Sequence, residues 1–195
     1  MSEQAVKQSH PKGLWVLFGT EMWERFNFYG MRTILTLFIV NALMMSEEQS
    51  SIIYGGFLGL CYLTPMLGGF IADRFLGNRL CIMLGGLLMA SGQMLLFFSA
   101  SIFSSDLELA RTLLYIALGV IILGNGFFKP NISTLLGNVY TTPQYIKQKD
   151  DGYNIFYMGI NIGAFICNFF GAALYIVYGW GAAFIAAGVG MFIGV

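Results

Sequence analysis

Residues 152–195 form a run of 44 with no Asp, Glu, Lys or Arg. A helix needs roughly 20 apolar residues to cross about 30 Å of hydrocarbon, so this run is long enough for two spans. Tyr178, Gly179, Trp180 and Gly181 divide it, with glycines for a turn and aromatic rings of the kind that sit at a membrane interface. Residues 49–72 and 80–105 are also free of charge, and residues 112–146 contain only Lys129. Residues 13–46 are apolar at both ends but carry Glu21, Glu24, Arg25 and Arg32. The expected fold is therefore an all-α membrane protein. Six transmembrane helices are expected at about 13–46, 49–72, 79–103, 110–139, 152–177 and 180–195, after a tail at 1–12. The chain stops inside the last apolar segment with no flanking charge, and that segment reads as cut short.

Only 10% of residues are charged and 57% are hydrophobic, against roughly a quarter charged in an ordinary soluble domain. Ten basic residues balance ten acidic ones. No global basic surface exists to attract nucleic acid. Cys61, Cys81 and Cys167 are odd in number, far apart and set in apolar sequence, so they read as buried thiols rather than disulfides or metal ligands. No metal or cofactor is expected, and residues 1–12 lack the apolar stretch and small-residue cleavage site of a signal peptide. With the amino terminus in the cytoplasm, Lys7, Lys12, Arg74, Arg79, Lys147 and Lys149 fall inside and Arg111 alone falls outside. That positive-inside bias predicts a multi-pass protein of the cell membrane with a cytoplasmic amino terminus.

The charges within spans are where chemistry is expected. Each would cost roughly 2.5–3.5 kcal/mol against lipid on an insertion scale, so they must be paired or line a wet cavity. At 100° per residue, Glu21, Glu24, Arg25, Phe28, Tyr29 and Arg32 fall within roughly 140° of one helix face. Glu21 and Arg25 are four apart, the spacing at which an acid and a base meet. Lys129 has 17 uncharged residues on either side and is followed by Pro130 and Asn131, which predicts a kink. Gly124, Asn125, Gly126, Phe127, Phe128 and Lys129 lack the strand and spacing of a phosphate loop. The glycine pairs Gly55 with Gly59 and Gly159 with Gly163 predict helix-contact faces. His10 lies in the polar tail and reads as incidental.

Residues 69–79, with Gly69, Asp73, Arg74, Gly77 and Arg79, resemble the cytoplasmic loop signature of the major facilitator superfamily, with one extra residue in the turn. Residues 21–30, Glu-Met-Trp-Glu-Arg-Phe-Asn-Phe-Tyr-Gly, resemble the first-helix signature of the proton-dependent oligopeptide transporter family, except that Phe28 stands where the family usually has tyrosine. Phe128-Lys129-Pro130-Asn131 and Phe156-Tyr157-Met158-Gly159-Ile160-Asn161-Ile162-Gly163 are similar to two further elements of that family.

The resemblance implies the amino-terminal six-helix bundle of a transporter whose carboxyl-terminal bundle is missing, with a substrate cavity between the halves. It implies di- and tripeptides and protons as partners, beside the lipid bilayer. Positions matching Arg32 and Lys129 attract the peptide carboxylate, and those matching Tyr29, Tyr62 and Asn161 contact the peptide. Glu21, Glu24, Arg25 and Lys129 match positions of proton coupling. Two other readings remain open: a structural or assembly-forming six-helix bundle, and a facilitator for another anion such as nitrate. An enzyme is not expected, since the sequence offers neither a catalytic histidine nor a nucleophile elbow.

Overall fold

The computed structural model describes residues 9–195; Lys7 and most of the tail at 1–12 lie outside the described residues. Six α-helices follow one another: α1 Lys12–Asn41, α2 Glu47–Ile71, α3 Asn78–Ile102, α4 Leu107–Val139, α5 Lys149–Tyr178 and α6 Trp180–Gly194. A π-helical turn, Ala72–Leu76, continues α2, and a 3₁₀ turn, Ile146–Gln148, precedes α5. There is no strand among the described residues. Four helical segments are long and apolar enough to cross a membrane: Glu47–Leu76, Asn78–Ile102, Leu107–Val139 and Ile146–Tyr178. The charges of α1 exclude it from that set, and α6 spans only 15 residues.

Capping explains the boundaries. Ser46 and Gln49 form a reciprocal capping box at the start of α2, with bonds of 3.1 and 3.2 Å. It draws Glu47 and Glu48 into the first helical turn, where the helix dipole favours acids. Asp106 caps α4 through the Leu109 N–H at 2.9 Å. The first helix ends at Asn41, short of the expected 46. Met44 adopts a left-handed φ of 53°, and Arg111 on α4 donates to the carbonyls of Leu43 at 3.0 Å and Met44 at 3.2 Å. An arginine thus holds carbonyls that a continuing helix would have used internally. Gly179, at φ 85°, makes the whole turn between α5 and α6.

The most extensive packing joins α3 to α4, while α1 lies between α5 and α6. Close crossings occur where a side chain is missing. A Cβ on Gly85 would stand 2.6 Å from the Gly124 carbonyl oxygen, and one on Gly163 would stand 2.3 Å from that of Met22. Gly159 meets Phe18, so this pair is a contact face as expected. Gly55 and Gly59 are not, because nothing lies within 4 Å of a Cβ built on either. Their face of α2 is turned away from the bundle, alongside the exposed Leu60 and Leu63. At α4, Pro130 has no N–H to give the carbonyl of Gly126 four residues earlier. That carbonyl lies against Gly68 of α2, and Asn131 donates to Phe127 O at 2.7 Å and toward Gly68 O at 3.4 Å. The proline site therefore doubles as the α2–α4 junction.

Candidate functional site

The stripe on α1 forms a buried ion cluster. Arg25 Nε lies 3.1 Å from Glu21 Oε1 and also pairs with Glu24 Oε2. All three residues are at most 4% exposed. The pairing with Glu21 follows from the four-residue spacing. The pairing with Glu24 does not, since neighbouring residues diverge by 100° and only the length of the arginine closes the gap. Glu21 Oε2, Glu24 Oε1 and Arg25 Nη2 have no hydrogen-bond partner among the described residues. Two carboxylates share one guanidinium, which leaves a formal surplus of one negative charge when both are ionised.

Lys129 supplies the opposing charge without touching. It makes no ion pair with Glu21 or Glu24, yet it lies within electrostatic range of both and sits 5.2 Å above the ring of Tyr62. Aromatic faces hold the cations along the stripe. The Arg25 guanidinium is 5.8 Å from the Phe28 ring and 5.7 Å from that of Tyr29, and the Arg32 guanidinium is 5.6 and 5.5 Å from the same two rings. Phe28 also stacks on Phe57 at 5.9 Å, so the ring that replaces the usual tyrosine is anchored by packing and needs no hydroxyl partner.

Arg32 lies apart from the buried cluster. It donates from Nε to the Tyr54 hydroxyl at 3.0 Å and lines an open cavity of about 320 Å³ with Tyr29, Thr33, Tyr54, Ala164 and Asn168. Lys129, Tyr62 and Asn161 are not in that lining. Tyr62 and Asn161 are exposed on α2 and α5. Cys61, Cys81 and Cys167 are free and buried.

Near the end of α2 Gly69 packs near Pro130, and Gly77, between the π-helical turn and α3, takes φ 76°; Asp73 and Arg74 in that turn and Arg79 at the start of α3 are exposed without ion pairs among the described residues. Arg79 borders a mostly apolar cavity of about 520 Å³ that is also lined by Gly13, Leu17, Thr20 and Val195. No group of three or more potential metal-ligating side chains occurs among the described residues.

Several polar residues were not legible as site residues. Tyr54, Thr33 and Asn168 line the Arg32 cavity. Asn27 is buried and bridges helices, donating to Ala187 O at 2.8 Å and accepting from Gln93 at 3.1 Å. Asn125 is 1% exposed, and neither amide atom is bonded among the described residues. His10 is not incidental: it bonds the Tyr140 hydroxyl at 2.8 Å, tying the start of the chain to the end of α4. Burial, and then the nearby Asp151 carboxylate, push the Tyr140 phenol up.

The profile of the POT family (PTR2) matches residues 79–195, more than half of the chain. The chain belongs to the POT family. It is 38% identical over 189 residues to the peptide transporter YePEPT of Yersinia enterocolitica subsp. palearctica serotype O:3 (strain YE-P4), covering 94% of the chain and 35% of that protein. It is 34% identical over 192 residues to dipeptide and tripeptide permease A of Proteus mirabilis (strain HI4320), covering 98% of the chain and 37% of the relative. Among solved structures it is similar to a mutant of the peptide transporter POT in complex with sulfate, with a TM-score of 0.86 and 35% identity over 95% of the chain and 36% of the other. It is similar, at a TM-score of 0.85 and 33% identity, to a POT family transporter in complex with thioalcohol conjugated peptide, covering 95% of the chain and 37% of the other. This POT-family chain thus spans about a third of the length of the relatives it matches.

Proposed function

We propose that this POT-family chain is the amino-terminal six-helix half of a proton-coupled di- and tripeptide symporter, a major facilitator fold with its substrate cavity between this bundle and a second one. In this reading residues 13–195 form the bundle, α1 and α6 complete the six spans, and the protein lies in the cell membrane with its amino terminus in the cytoplasm. Relatives named as peptide transporters support the substrate class.

One observation carries the reading: two carboxylates buried on a single arginine lie a short way along one helix face from a second arginine that opens into a cavity. Arg32, whose Nη atoms make no hydrogen bond among the described residues, offers a fork that matches a peptide carboxylate. Tyr29, Tyr62 and Asn161 supply the surrounding peptide contacts, and Lys129 adds a second positive charge. Glu21, Glu24 and Arg25 form the proton-coupling group. Protonating one carboxylate removes the negative surplus, weakens its hold on Arg25 and releases the attraction that draws Lys129 inward. The group then becomes net positive with Lys129 counted, which favours an incoming peptide anion in the low-dielectric cavity. Bound peptide favours the protonated state by the same coupling.

Uptake of labelled dialanine into liposomes by the two-bundle transporter tests the reading, with and without an inward proton gradient. Accumulation should require the gradient, and Arg32→Ala should raise the half-saturating peptide concentration at least 10-fold, the equivalent of about 1.4 kcal/mol. Gradient-independent equilibration in the parent would contradict proton coupling. Saturation unchanged by Arg32→Ala would contradict the carboxylate site.

A further inference from the structure

Gly124 of α4 packs on Gly85 and Met89 of α3, and Gly126 packs on Thr64 of α2. At 100° per residue Asn125 projects midway between those two contacts. The buried Ile121, Ile122 and Phe128 lie within roughly 60° of it, and the exposed Leu123 lies on the other side of the helix. Asn125 is therefore the centre of the face that α4 turns into the bundle. It is 1% exposed, and neither its Oδ1 nor its Nδ2 makes a hydrogen bond among the described residues. A buried amide left unpaired costs stability, so a partner met in another state would account for it.

Lys129 follows four residues later, only about 40° around the helix. Helical side chains lean toward the amino-terminal end, so the long stem of Lys129 can reach back to Asn125 by changing rotamer alone. Its ammonium lies 5.2 Å from the centroid of the Tyr62 ring and makes no hydrogen bond among the described residues. It acts electrostatically on Glu21 and Glu24 of α1, the two acids that share Arg25, and on the Cys61 thiol of α2. One turn of α4 thus carries an acceptor without a donor and, beside it, a cation with three donors and no acceptor.

We propose that Asn125 is a second seat for the Lys129 ammonium. When a proton neutralises Glu21 or Glu24, the ammonium loses the charge that draws it toward α1 and donates to Asn125 Oδ1; when the carboxylate ionises again, the ammonium leaves the amide for the acids. This rests on the proton-coupled reading above and deepens it, because it gives the lysine a polar partner in the state in which the acids no longer attract it. Asn125 is a positioning residue that acts through Lys129. The seat stabilises only the protonated state, so removing it makes protonation of the cluster harder.

The test is the external-pH profile of labelled dialanine accumulation, driven by a proton gradient, in liposomes containing the two-bundle transporter. Asn125→Leu keeps the side-chain size and removes the acceptor. The pH of half-maximal accumulation should fall by about one unit, a tenfold change in proton affinity, because the protonated state has lost a hydrogen bond from a charged donor. Asn125→Ala should shift the profile the same way and serves in its place if the leucine variant does not fold, while Asn125→Thr keeps an acceptor oxygen and should stay nearer the parent. In the Lys129→Ala background, adding Asn125→Leu should leave the pH profile of dialanine exchange unmoved. A profile that stays at the parental pH or moves upward in the leucine and alanine variants would mean that the amide does not receive the ammonium, and a shift that persists without Lys129 would mean that the residue acts by packing; either overturns the seat alone. A folded parent that accumulates dialanine independently of the gradient overturns the proton-coupled reading and the seat with it.

Discussion

The same substitution at two glycines should move stability in opposite directions. Gly163 and Gly55 both lie inside long helices and both belong to pairs with three residues between them. At Gly163 an alanine Cβ would stand 2.3 Å from Met22 O and 3.0 Å from Arg25 Cβ. Ordinary contact is about 3.5–4.0 Å, so α1 and α5 would have to part by about 1 Å beside the ion cluster. Overpacking of this kind costs about 1–3 kcal/mol, of which the better helix propensity of alanine returns up to about 1 kcal/mol. A net loss of about 1–2 kcal/mol follows. At Gly55 nothing lies within 4 Å of the new Cβ, so only the propensity gain of about 0.5–1 kcal/mol remains. Thermal unfolding of the two-bundle transporter in one detergent, followed by tryptophan fluorescence, should give Gly163→Ala below the parent and Gly55→Ala at or above it. Gly163→Ala must also reduce peptide uptake, because the displaced backbone carries Arg25. A Gly163→Ala protein as stable as the parent would refute the backbone contact and the argument built on it.

Three further outcomes follow from other contacts. Asn125→Leu should raise the melting temperature, since a buried amide with neither atom bonded gives way to a side chain of similar size, a gain of about 1–3 kcal/mol; a lower melting temperature would contradict it. Arg111→Ala should lose about 1–3 kcal/mol in the same assay, because the carbonyls of Leu43 and Met44 lose their donors and Met44 keeps its left-handed backbone. Tyr140→Phe should cost about 1 kcal/mol through the lost His10 bond, equally at pH 8 and pH 9. The Tyr140 phenol is raised, so it stays protonated at both values; a cost that disappears at pH 9 would contradict this.

What could be read without coordinates depended on charge. Runs free of Asp, Glu, Lys and Arg delimit the long apolar helices because a single charge in hydrocarbon is expensive, and they locate Lys129 and the α1 stripe by the same logic. Uncharged polar residues carry no such mark. Asn125, Asn27 and Gln93 sit in apolar windows whose mean hydropathy they barely alter, and Asn168 was detectable only by its seven-residue spacing from Asn161. Glycine pairs were equally ambiguous: Gly159 with Gly163 meets α1, whereas Gly55 with Gly59 faces away from the bundle. Spacing defines a smooth helix face but not what lies opposite. The end of α1 was missed for a related reason, because the contact that stops it comes from Arg111, about 70 residues along the chain.

The central claim is that a carboxylate on Arg25 carries the coupled proton. The most direct test replaces Glu21 and Glu24 by glutamine, singly, in the two-bundle transporter, and compares two assays in the same liposomes: accumulation of labelled dialanine driven by a proton gradient, and exchange of labelled for unlabelled dialanine at equal pH. Glutamine keeps the shape and hydrogen bonds of a protonated glutamate but cannot release the proton. At least one of the two variants should lose gradient-driven accumulation while retaining exchange. If both glutamine variants concentrate dialanine as the parent does, neither carboxylate carries the proton and the account is wrong.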